Sequence, residues 1–461
     1  MEFIKRFQIH IWILALISFG GYLLFAFEFK RTDHLQLFST YIVLFVIGIF
    51  FTIYFIRKRN HWFLLFLFGL LFRLSFLLVT PHLSDDYFRF TWDGELQKDG
   101  YSAFEFLPKN YEEFFKGDSI LIEKYEQLYR ARSDEFPDGM NSKNYYSIYP
   151  TVNQLVFATS SMLGSPNDRN LVVMRIWILI AEVVSFFLLR ALLIRKKLSA
   201  SLAGLYWLNP LVIIEITGNL HFEGFAILFI LLALIFLNQK KNTFAGAALA
   251  LAICSKLNPI FFIGAAFRKL SIKSFVVFSG VTILLTFLLL ATILDAETFW
   301  NFKSSFGLYF AWFGFNAGPY YLLREIVEAL TGMNISDKIS VVFPIITLGL
   351  FAYVSIKSKK EIVHKLLLLY VIYFSFSPVV HPWYLTMLIP LAILSKRLYP
   401  ILWAFMAFFT YITYGENYGE SNTLIFIEHG LVYLLMYVEH KSSSRKLESL
   451  KSLLFNSESK T

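Results

Sequence analysis

The chain has 461 residues, of which 57% are hydrophobic and only 16% are charged. Soluble domains carry roughly 45–50% apolar and about 25% charged residues, and 52 phenylalanines are too many for a water-soluble core. The formal net charge is +9, but the basic residues cluster in short segments between apolar runs, which indicates membrane orientation and argues against a nucleic-acid partner. We therefore predict an all-α, multi-pass integral membrane protein in contact with membrane lipids.

Ten apolar windows are long enough to cross a bilayer, which takes about 17–25 residues each. They fall near residues 9–27, 38–56, 61–80, 171–194, 199–218, 220–238, 275–294, 340–357, 398–415 and 423–438. The first window is too long for a signal peptide and lacks a small-residue cleavage site, so we interpret it as a first span.

Two further apolar regions are interrupted by polar and proline-containing stretches. The region 243–267 is broken by SKLNP at 255–259, and the region 363–395 is broken by SPVVHPWY at 377–384. These two interruptions predict broken helices, and we expect each region to form a hairpin of half-helices.

The basic residues that follow each broken region support this interpretation. Short basic loops stay on the cytoplasmic side, so the clusters at 268–273 and 395–397 require each region to enter and return on that side. Broken backbone at membrane depth is tolerated only beside protein or a wet cavity, which predicts an internal cavity. The residues predicted to line it are Lys256, Asn258, His381 and Trp383.

The predicted topology gives a single transmembrane domain over residues 1–440 and a polar cytoplasmic tail at 441–461. Two large segments then lie on the outer side, 81–164 with juxtamembrane helices and 295–339. No soluble domain is large enough to act alone.

Two adjacent acids stand where the third apolar window ends, in VTPHLSDDYFRFTWDGELQKDG at 79–100. Ser84 is a suitable N-cap for a helix from Asp85 to about Lys98. Phe88, Trp92 and Leu96 would form one stripe of this helix, suited to the bilayer interface.

The polar residues of the same helix form another stripe, with Asp86, Arg89 and Asp93 at helical spacing and Asp85 four residues before Arg89. One interpretation is that the acids only favour the helix N-terminus, which is worth about 0.3–1 kcal/mol. The other is a general base or metal ligand directed into a membrane-level cavity, where acids have shifted pKa values.

Three further polar residues occupy the outer turn GNLHFEG at 218–224, namely Asn219, His221 and Glu223. Such residues beside membrane spans are costly unless they are paired or useful, so they form either a substrate site or a mutually satisfied turn. With the acidic pair they could hold a divalent cation, although the ligand spacing is not diagnostic. Lys256 and His381, in the two broken regions, either cap helix ends or bind a lipid phosphate.

The stretch LSDDYFRFTWDGELQKDGYSAFEFLP at 83–108 resembles the first outer loop of GT-C glycosyltransferases that use polyprenyl-phosphate sugars, in particular the mannosyltransferase-like group. The resemblance lies in the acidic pair, the aromatic-Arg stretch, the Trp-Asp-Gly and a Gly leading to an aromatic-Pro segment. Further similar stretches follow in order: YYSIYPTVNQLVF (145–157), LNPLVIIEITGNLHFEGFAILFILLAL (208–234), SKLNPIFFI (255–263) and HPWYLTMLIPL (381–391). The chain departs from the group at Tyr149-Pro150-Thr151, where similar sequences often have Tyr-Pro-Pro, and at Glu223, where many have an acid deeper in the segment.

The resemblance implies a GT-C-like bundle that transfers a hexose, with mannose favoured, from a polyprenyl-phosphate donor to a glycan, lipid or protein acceptor. It places the reaction on the outer face of a bacterial cytoplasmic membrane. Because the ligand spacing is not diagnostic, we expect no required cofactor, with a divalent cation left open. Asp86 is then the expected catalytic base and Asp85 its neighbour, with roles that can be exchanged. The residues expected to bind substrate or donor are His82, Arg89, Asp93, Tyr149, Asn219, His221, Glu223, Lys256 and His381.

A second class of function fits the same spans. Broken helices at membrane depth also suit a transporter or flippase for a lipid-linked glycan. The large outer segment favours the transferase, because a transferase needs a surface that receives its acceptor.

Overall fold

The structure, a computed structural model, describes residues 2–58, 61–134, 136–164, 169–311, 314–415, 419–441, 451 and 454–455. Within these residues the regular secondary structure is helical, apart from one isolated bridge between Phe315 and Val379. The predicted all-α class is therefore confirmed. Most of the predicted tail at 441–461 lies outside the described residues.

The helices follow one another in a simple order along the chain. They are α1 (Glu2–Phe27), α2 (His34–Arg57), α3 (Trp62–Leu74), α4 (Asp86–Lys98), α5 (Tyr111–Phe114), α6 (Ser119–Arg130), α7 (Thr151–Leu163), α8 (Arg169–Arg195), α9 (Gly204–Trp207), α10 (Pro210–Val212), α11 (Glu223–Asn238), α12 (Asn242–Ile253), α13 (Phe261–Ala266), α14 (Ile272–Leu290), α15 (Ala296–Ala311), α16 (Gly318–Thr331), α17 (Ser336–Lys357), α18 (Ile362–Phe376), α19 (Leu388–Ser395), α20 (Tyr399–Ala407) and α21 (Asn422–Lys441). Short 3₁₀ segments cover Pro108–Asn110, Ala200–Ala203, Asn258–Ile260, Pro382–Met387 and Phe408–Tyr414, and a π-helical segment covers Ile213–Gly218.

Several of these helices are long and apolar enough to span a membrane, as expected of a membrane protein. Among the described residues four meet both criteria, in α1, α2, α8 and α14. A fifth span arises if the two pieces Ala200–Trp207 and Pro210–Gly218, which meet at 54°, are taken together.

This count is below the ten full spans predicted from the sequence. The windows are continuous in hydropathy, but the helices in them are shorter or change type. Helix α3 ends at Leu74, six positions before its window does, and α20 gives way to a 3₁₀ segment at Phe408. Six shorter apolar helices lie elsewhere in the described chain, such as α11, α12 and α18.

Both predicted interruptions are confirmed in position. Helix α12 ends at Ile253 and helical structure resumes at Asn258, while α18 ends at Phe376 and the next segment begins at Pro382. Each new segment carries a proline in its first positions, where the missing N–H leaves no hydrogen bond unmade.

The end of the first broken region contacts the end of α17. Arg268 donates to the carbonyl of Ile356 at 3.4 Å, and Lys269 donates to the carbonyl of Lys359 at 2.6 Å. Ile356 lies in the last turn of α17, and Lys359 lies just beyond its end in the basic stretch KSKK at 357–360. Helices α12 and α13 pack against different neighbours and do not form a side-by-side hairpin, and entry and return on one side of the membrane stays a prediction for this region.

The second broken region folds back on itself, since α18 packs against α19. Arg397, just beyond α19, donates to the carbonyl of Glu439 at 2.9 Å. The ring of His364, at the start of α18, lies 6.3 Å from that of His440. The two ends of this region thus meet the same end of α21, and which side of a membrane they face stays a prediction.

The outer segment 81–164 contains α4 to α7, and its helix α4 packs against α7. Gly94 allows the close approach, because a Cβ there would lie 2.5 Å from the carbonyl oxygen of Phe157. The stripe of Phe88, Trp92 and Leu96 is buried inside the protein, so its predicted position on the bilayer interface is wrong. The N-cap is Asp85 rather than Ser84, which starts α4 one residue later than predicted.

Candidate functional site

A cavity of about 860 Å³ lies beside the N-terminus of α4. This volume falls within the ~300–1,000 Å³ typical of small-molecule sites. Its walls come from the loop before α4, the outer segment after Phe136, the turn at 221–223 and both helix breaks. Lys256, Asn258, His381 and Trp383 all line it, which confirms the cavity predicted from the broken helices.

The two adjacent acids both face this cavity but have different partners. Asp85 Oδ1 accepts a hydrogen bond from Asn141 at 3.1 Å. Asp86 Oδ2 lies 3.7 Å from His221 Nε2 and accepts a hydrogen bond from the Tyr149 hydroxyl at 3.4 Å. The Asp86 side chain is 25% exposed, so it is held on one side and open to the cavity on the other.

Because their partners differ, the two acids also differ in pKa. Burial and the neighbouring Asp86 charge raise the pKa of Asp85 to about 6. Burial alone would raise the pKa of Asp86 as well, but the hydrogen bond and charge of His221 outweigh it and lower that pKa below its usual value of 3.8. At neutral pH the pair therefore presents two carboxylates, of which Asp85 is the stronger base.

His221 is buried and lies between two acids. Its Nδ1 is 3.0 Å from the Glu215 carbonyl oxygen and 3.3 Å from Glu215 Oε2, and its Nε2 points to Asp86. Burial acts to lower the pKa of His221, but Asp86 and Glu215 outweigh it and raise the pKa to about 9. The ring is thus an imidazolium at neutral pH.

Glu215 was missed by the sequence analysis. It lies in the π-helical segment, is 0% exposed, and accepts hydrogen bonds from the Tyr411 hydroxyl at 2.9 Å and from Asn219 at 3.0 Å. The available signal was a lone acid inside a predicted span, since such residues are rare unless they are functional. Asn219, predicted to bind substrate, turns its amide to Glu215 and does not line the cavity.

The cavity is also lined by aromatic rings and by cationic side chains. The Trp383 ring lies between those of His221 and His381, with centroids 4.0 Å and 4.3 Å away and nearly parallel planes. Lys256 Nζ lies 4.3 Å from the centre of the Tyr384 ring and 2.6 Å from Glu223 Oε1. Glu223 and Lys256, both predicted site residues, therefore form a pair at the cavity surface.

Arg31 is a second residue of the site that the sequence did not indicate, and it lines the cavity. It comes from the loop between α1 and α2, and its guanidinium lies 4.7 Å from the Phe136 ring and 4.9 Å from the Tyr414 ring. Its charge lowers the pKa of Asp85 and so partly offsets the increase that burial causes.

Arg89 and Asp93 bind each other rather than facing outward. Arg89 Nε donates to Asp93 Oδ1 at 2.7 Å, and the other guanidinium nitrogens donate to the carbonyls of Tyr145 and Ala103. Asp93 is fully buried and also accepts a hydrogen bond from Gln154 at 3.0 Å. Arg89 reaches the cavity wall, whereas Asp93 does not, and the suggested pairing of Arg89 with Asp85 is replaced by pairing with Asp93.

His82 is half-buried in the loop before α4 and is not among the lining residues. No three His, Cys, Asp or Glu side chains in the described part of the chain are grouped closely enough to hold a metal ion. The geometry therefore names no ligand set for the divalent cation that the sequence left open.

The arrangement combines carboxylates that can accept a proton, cations that can face an anion, and aromatic rings that can stack on an apolar or sugar face. Comparison of the chain with models of known protein families, with curated proteins and with solved structures finds no match. Fold and site together describe an all-helical membrane protein with an acid-lined cavity that is open at a helix N-terminus.

Proposed function

We propose that the chain is a GT-C-type glycosyltransferase that transfers a hexose, with mannose favoured, from a polyprenyl-phosphate sugar to a hydroxyl group of a glycan, lipid or protein. The observation that carries the proposal is the acidic pair Asp85 and Asp86 in a cavity that is also lined by Lys256, His221 and Trp383. Proton acceptor and anion-binding cations thus face the same space, as this reaction requires.

The chemistry assigns one task to the acids and another to the cations. The acceptor oxygen attacks the anomeric carbon and gives its proton to Asp86, while the bond from the anomeric carbon to the phosphate oxygen breaks. A positioned carboxylate typically contributes 10²–10⁴-fold to such a step. The departing phosphate carries growing negative charge, which fixed cations stabilise most strongly in a site that excludes water.

Asp86 is assigned as the base because its position is fixed by His221 and Tyr149, with its second oxygen left for the acceptor. Asp85 has the higher pKa, which also suits a base, but its contact with Asn141 turns one oxygen toward the outer segment. We assign it to the orientation of the acceptor.

The remainder of the cavity suits the two substrates. A hexose offers an apolar face that stacks on aromatic rings, and Trp383, Tyr384 and Tyr149 line the cavity. The polyprenyl chain of the donor dissolves only in a bilayer, where the apolar helices of the chain would lie. The proposal includes a GT-C-like bundle in which bent and short helices complete about ten crossings, with the cavity at the outer face of a bacterial cytoplasmic membrane.

The test is a transfer assay with purified protein in lipid vesicles, labelled polyprenyl-phosphate mannose and a hydroxyl acceptor. Wild-type protein should transfer the label, nucleotide sugars should not compete, and Asp86→Asn should lower the rate about 10²–10⁴-fold. Asp134→Asn is the matched control, because Asp134 is an exposed acid of the same outer segment, and it should keep full activity.

Two results would contradict the proposal. Full activity of Asp86→Asn would move the base to Asp85 or Glu223. Failure of the wild-type protein to transfer any polyprenyl-phosphate hexose, together with movement of a lipid-linked glycan across the vesicle membrane, would favour the transporter.

A second experiment tests the sidedness on which the donor depends. The single cysteine, Cys254, is buried, so a Cys254→Ser, Asp134→Cys double variant carries one exposed thiol in the outer segment. A membrane-impermeant maleimide should label it in intact cells. Labelling only after lysis would place this segment in the cytosol and remove the lipid donor.

A further inference from the structure

The segment that carries Glu215 departs from ordinary helical geometry. Residues Ile213–Gly218 are π-helical, and single π turns of this kind are frequent at functional sites. Leu220, two residues beyond, has φ +63° although it is a buried leucine. A non-glycine residue in this region costs of order 1–3 kcal/mol and persists only where its surroundings enforce it.

Arg175 of α8 is one of the groups that enforce this turn. It is buried, and it donates to the carbonyls of Thr217 at 2.9 Å and Gly218 at 3.1 Å. These carbonyls end the π segment and would otherwise lack partners. The strained turn is therefore held from outside the cavity.

The product of this geometry is a carboxylate that accepts two hydrogen bonds beside the ring of His221. Glu215 accepts from Tyr411 on one oxygen, from Asn219 on the other, and lies 3.3 Å from His221 Nδ1. The charge of this carboxylate is one of the causes that raise the pKa of His221. No surface of Glu215 faces the cavity, so it can act only through a neighbour.

That neighbour is His221, whose far nitrogen faces Asp86 at 3.7 Å. The order Glu215, His221, Asp86 runs from a sealed carboxylate through an imidazole ring to a carboxylate at the cavity wall. A base or acid that is oriented by a third, buried group is a recurrent arrangement in enzymes. The stacked Trp383 ring, 4.0 Å away, fixes the plane of the imidazole.

We propose that Glu215 is a positioning residue: its backbone carbonyl accepts the Nδ1–H of His221 and sets the tautomer, while its carboxylate, close to the same nitrogen, keeps the ring charged with Nε2–H directed at Asp86 and the cavity. This role rests on the proposed function for its catalytic meaning, but the positioning itself does not.

The proposal gives His221 a defined part in sugar transfer. When Asp86 takes the acceptor proton it becomes neutral, and its attraction for Nε2–H weakens. In the same step the electron pair of the broken bond stays on the phosphate oxygen, which gains charge. The imidazolium keeps its proton because Glu215 remains beside it, so Nε2–H can be redirected to the leaving phosphate.

Several charged groups act on His221 from the surrounding elements. Glu215 comes from the π segment and Asp86 from α4, and these two raise the pKa of His221. Asp85, Lys256 and His381 belong to the same electrostatic cluster, since each is coupled to His221 or to Asp86. The charge of Arg31 acts on Asp85, and Ser84 Oγ lies 3.4 Å from Nε2.

The experiment is an NMR titration of histidine side chains in detergent-solubilised protein, with the His221 signal assigned from a His221→Gln variant. Glu215→Gln keeps the shape and hydrogen-bonding capacity of the side chain but removes its charge. Loss of one neighbouring charge should lower the pKa of His221 from about 9 by about 1–3 units. In the transfer assay the rate of Glu215→Gln should fall about 10²-fold, and the alkaline limb of its pH profile should move to lower pH by the same interval.

Glu428→Gln is the matched control. Glu428 is another buried acid, but its partners are the neutral donors Asn316 and Trp403, at 3.0 Å and 2.9 Å. This variant should leave the titration of His221 unchanged. Tyr411→Phe, which removes a hydrogen bond but keeps the Glu215 charge, should not lower the pKa of His221.

An unchanged His221 titration in folded Glu215→Gln protein would overturn the positioning role, whatever the transfer assay shows. If the His221 pKa shifts as expected but wild-type protein transfers no sugar, the positioning role stands and the proposed function fails.

Discussion

Two buried ion pairs with similar chemistry lie in different surroundings in this molecule. Arg73 of α3 and Glu182 of α8 are 2.8 Å apart and fully buried, and the Arg73 guanidinium lies 3.7 Å from the centre of the Trp207 ring. The Asp86–His221 pair also lies beside an indole ring, but it borders a cavity of about 860 Å³. Neither Arg73 nor Glu182 lines that cavity.

The difference shows that burial of charge alone does not identify a site. Glu182 has its oxygens occupied by Arg73 and by the Tyr206 hydroxyl, and Arg73 also donates to the carbonyl of Trp207. Such a sealed pair can only hold helices together. Asp86 keeps an oxygen open to the cavity, so the same kind of interaction there leaves capacity for chemistry.

The largest expected effect comes from breaking the sealed pair. Glu182→Gln leaves the Arg73 charge buried without a counter-ion, and removal of one partner of such a pair typically costs about 3–5 kcal/mol. The variant should show a strongly lowered thermal unfolding midpoint in detergent, measured by fluorescence or calorimetry.

Asp86→Asn is the counterpart in the cavity, and its unfolding midpoint should stay close to that of wild type while transfer is lost. If Asp86→Asn destabilised the protein as much as Glu182→Gln, both ion pairs would be structural, and the distinction between them would be wrong.

A smaller effect is expected from crowding the indole that packs on Arg73. A Cβ at Gly69 would lie 2.2 Å from Trp207 Nε1, so Gly69→Ala forces the ring to move. Overpacking of this kind costs typically about 1–3 kcal/mol, which the same unfolding measurement would detect. Gly20→Ala is the control, because a Cβ at Gly20 would meet nothing within 4 Å. Equal stability of the two variants would show that the Arg73 cluster tolerates displacement.

The pH dependence of transfer distinguishes the two acids of the cavity, with an effect of about tenfold in rate per pH unit. Since the pKa of Asp86 is lowered, a rate that depends on ionised Asp86 should be flat between about pH 5 and pH 8. It should then fall above about 9 as His221 loses its proton. A rate that instead falls as the pH drops below about 6 would make Asp85 the base, because its pKa is about 6.

Asp85→Asn sharpens this measurement. If Asp86 is the base and Asp85 only orients the acceptor through hydrogen bonds, the variant should keep the flat acidic region, since protonation at position 85 does not remove the base. If the transfer rate of wild-type protein falls at acidic pH and that of Asp85→Asn does not, the fall is due to protonation of Asp85.

The sequence predicted the parts of this structure that depend on local pattern and charge. The all-α class, the breaks at SKLNP and SPVVHPWY, and the fold-back of the second broken region follow from hydropathy, proline and lysine positions. The cavity residues Lys256 and His381 were predicted because broken backbone needs surroundings that satisfy it. Asp85 and Asp86 at a helix start and His221 in a turn were predicted because polar residues beside membrane spans are costly unless they are paired or useful.

The parts that failed depend on contacts between distant segments. Asp93 was predicted to bind substrate because helical spacing shows which residues share a stripe but not which stripe packs inward. In the structure, Gln154 and Ser147 donate hydrogen bonds to Asp93 inside the protein. Arg31 could not be predicted, since nothing in the first loop indicates that it reaches Tyr414. The span count failed because hydropathy does not report where a helix bends or changes type.

The hydrogen bond from Tyr411 to Glu215 also has a consequence for how the chain is made. The two residues are 196 positions apart, and a ribosome adds about 5–20 residues per second. For roughly 10–40 s after its own segment is made, the Glu215 carboxylate therefore has only its nearby partners Asn219 and His221. Its full set of hydrogen bonds can form only after the segment that carries Tyr411 has been synthesised.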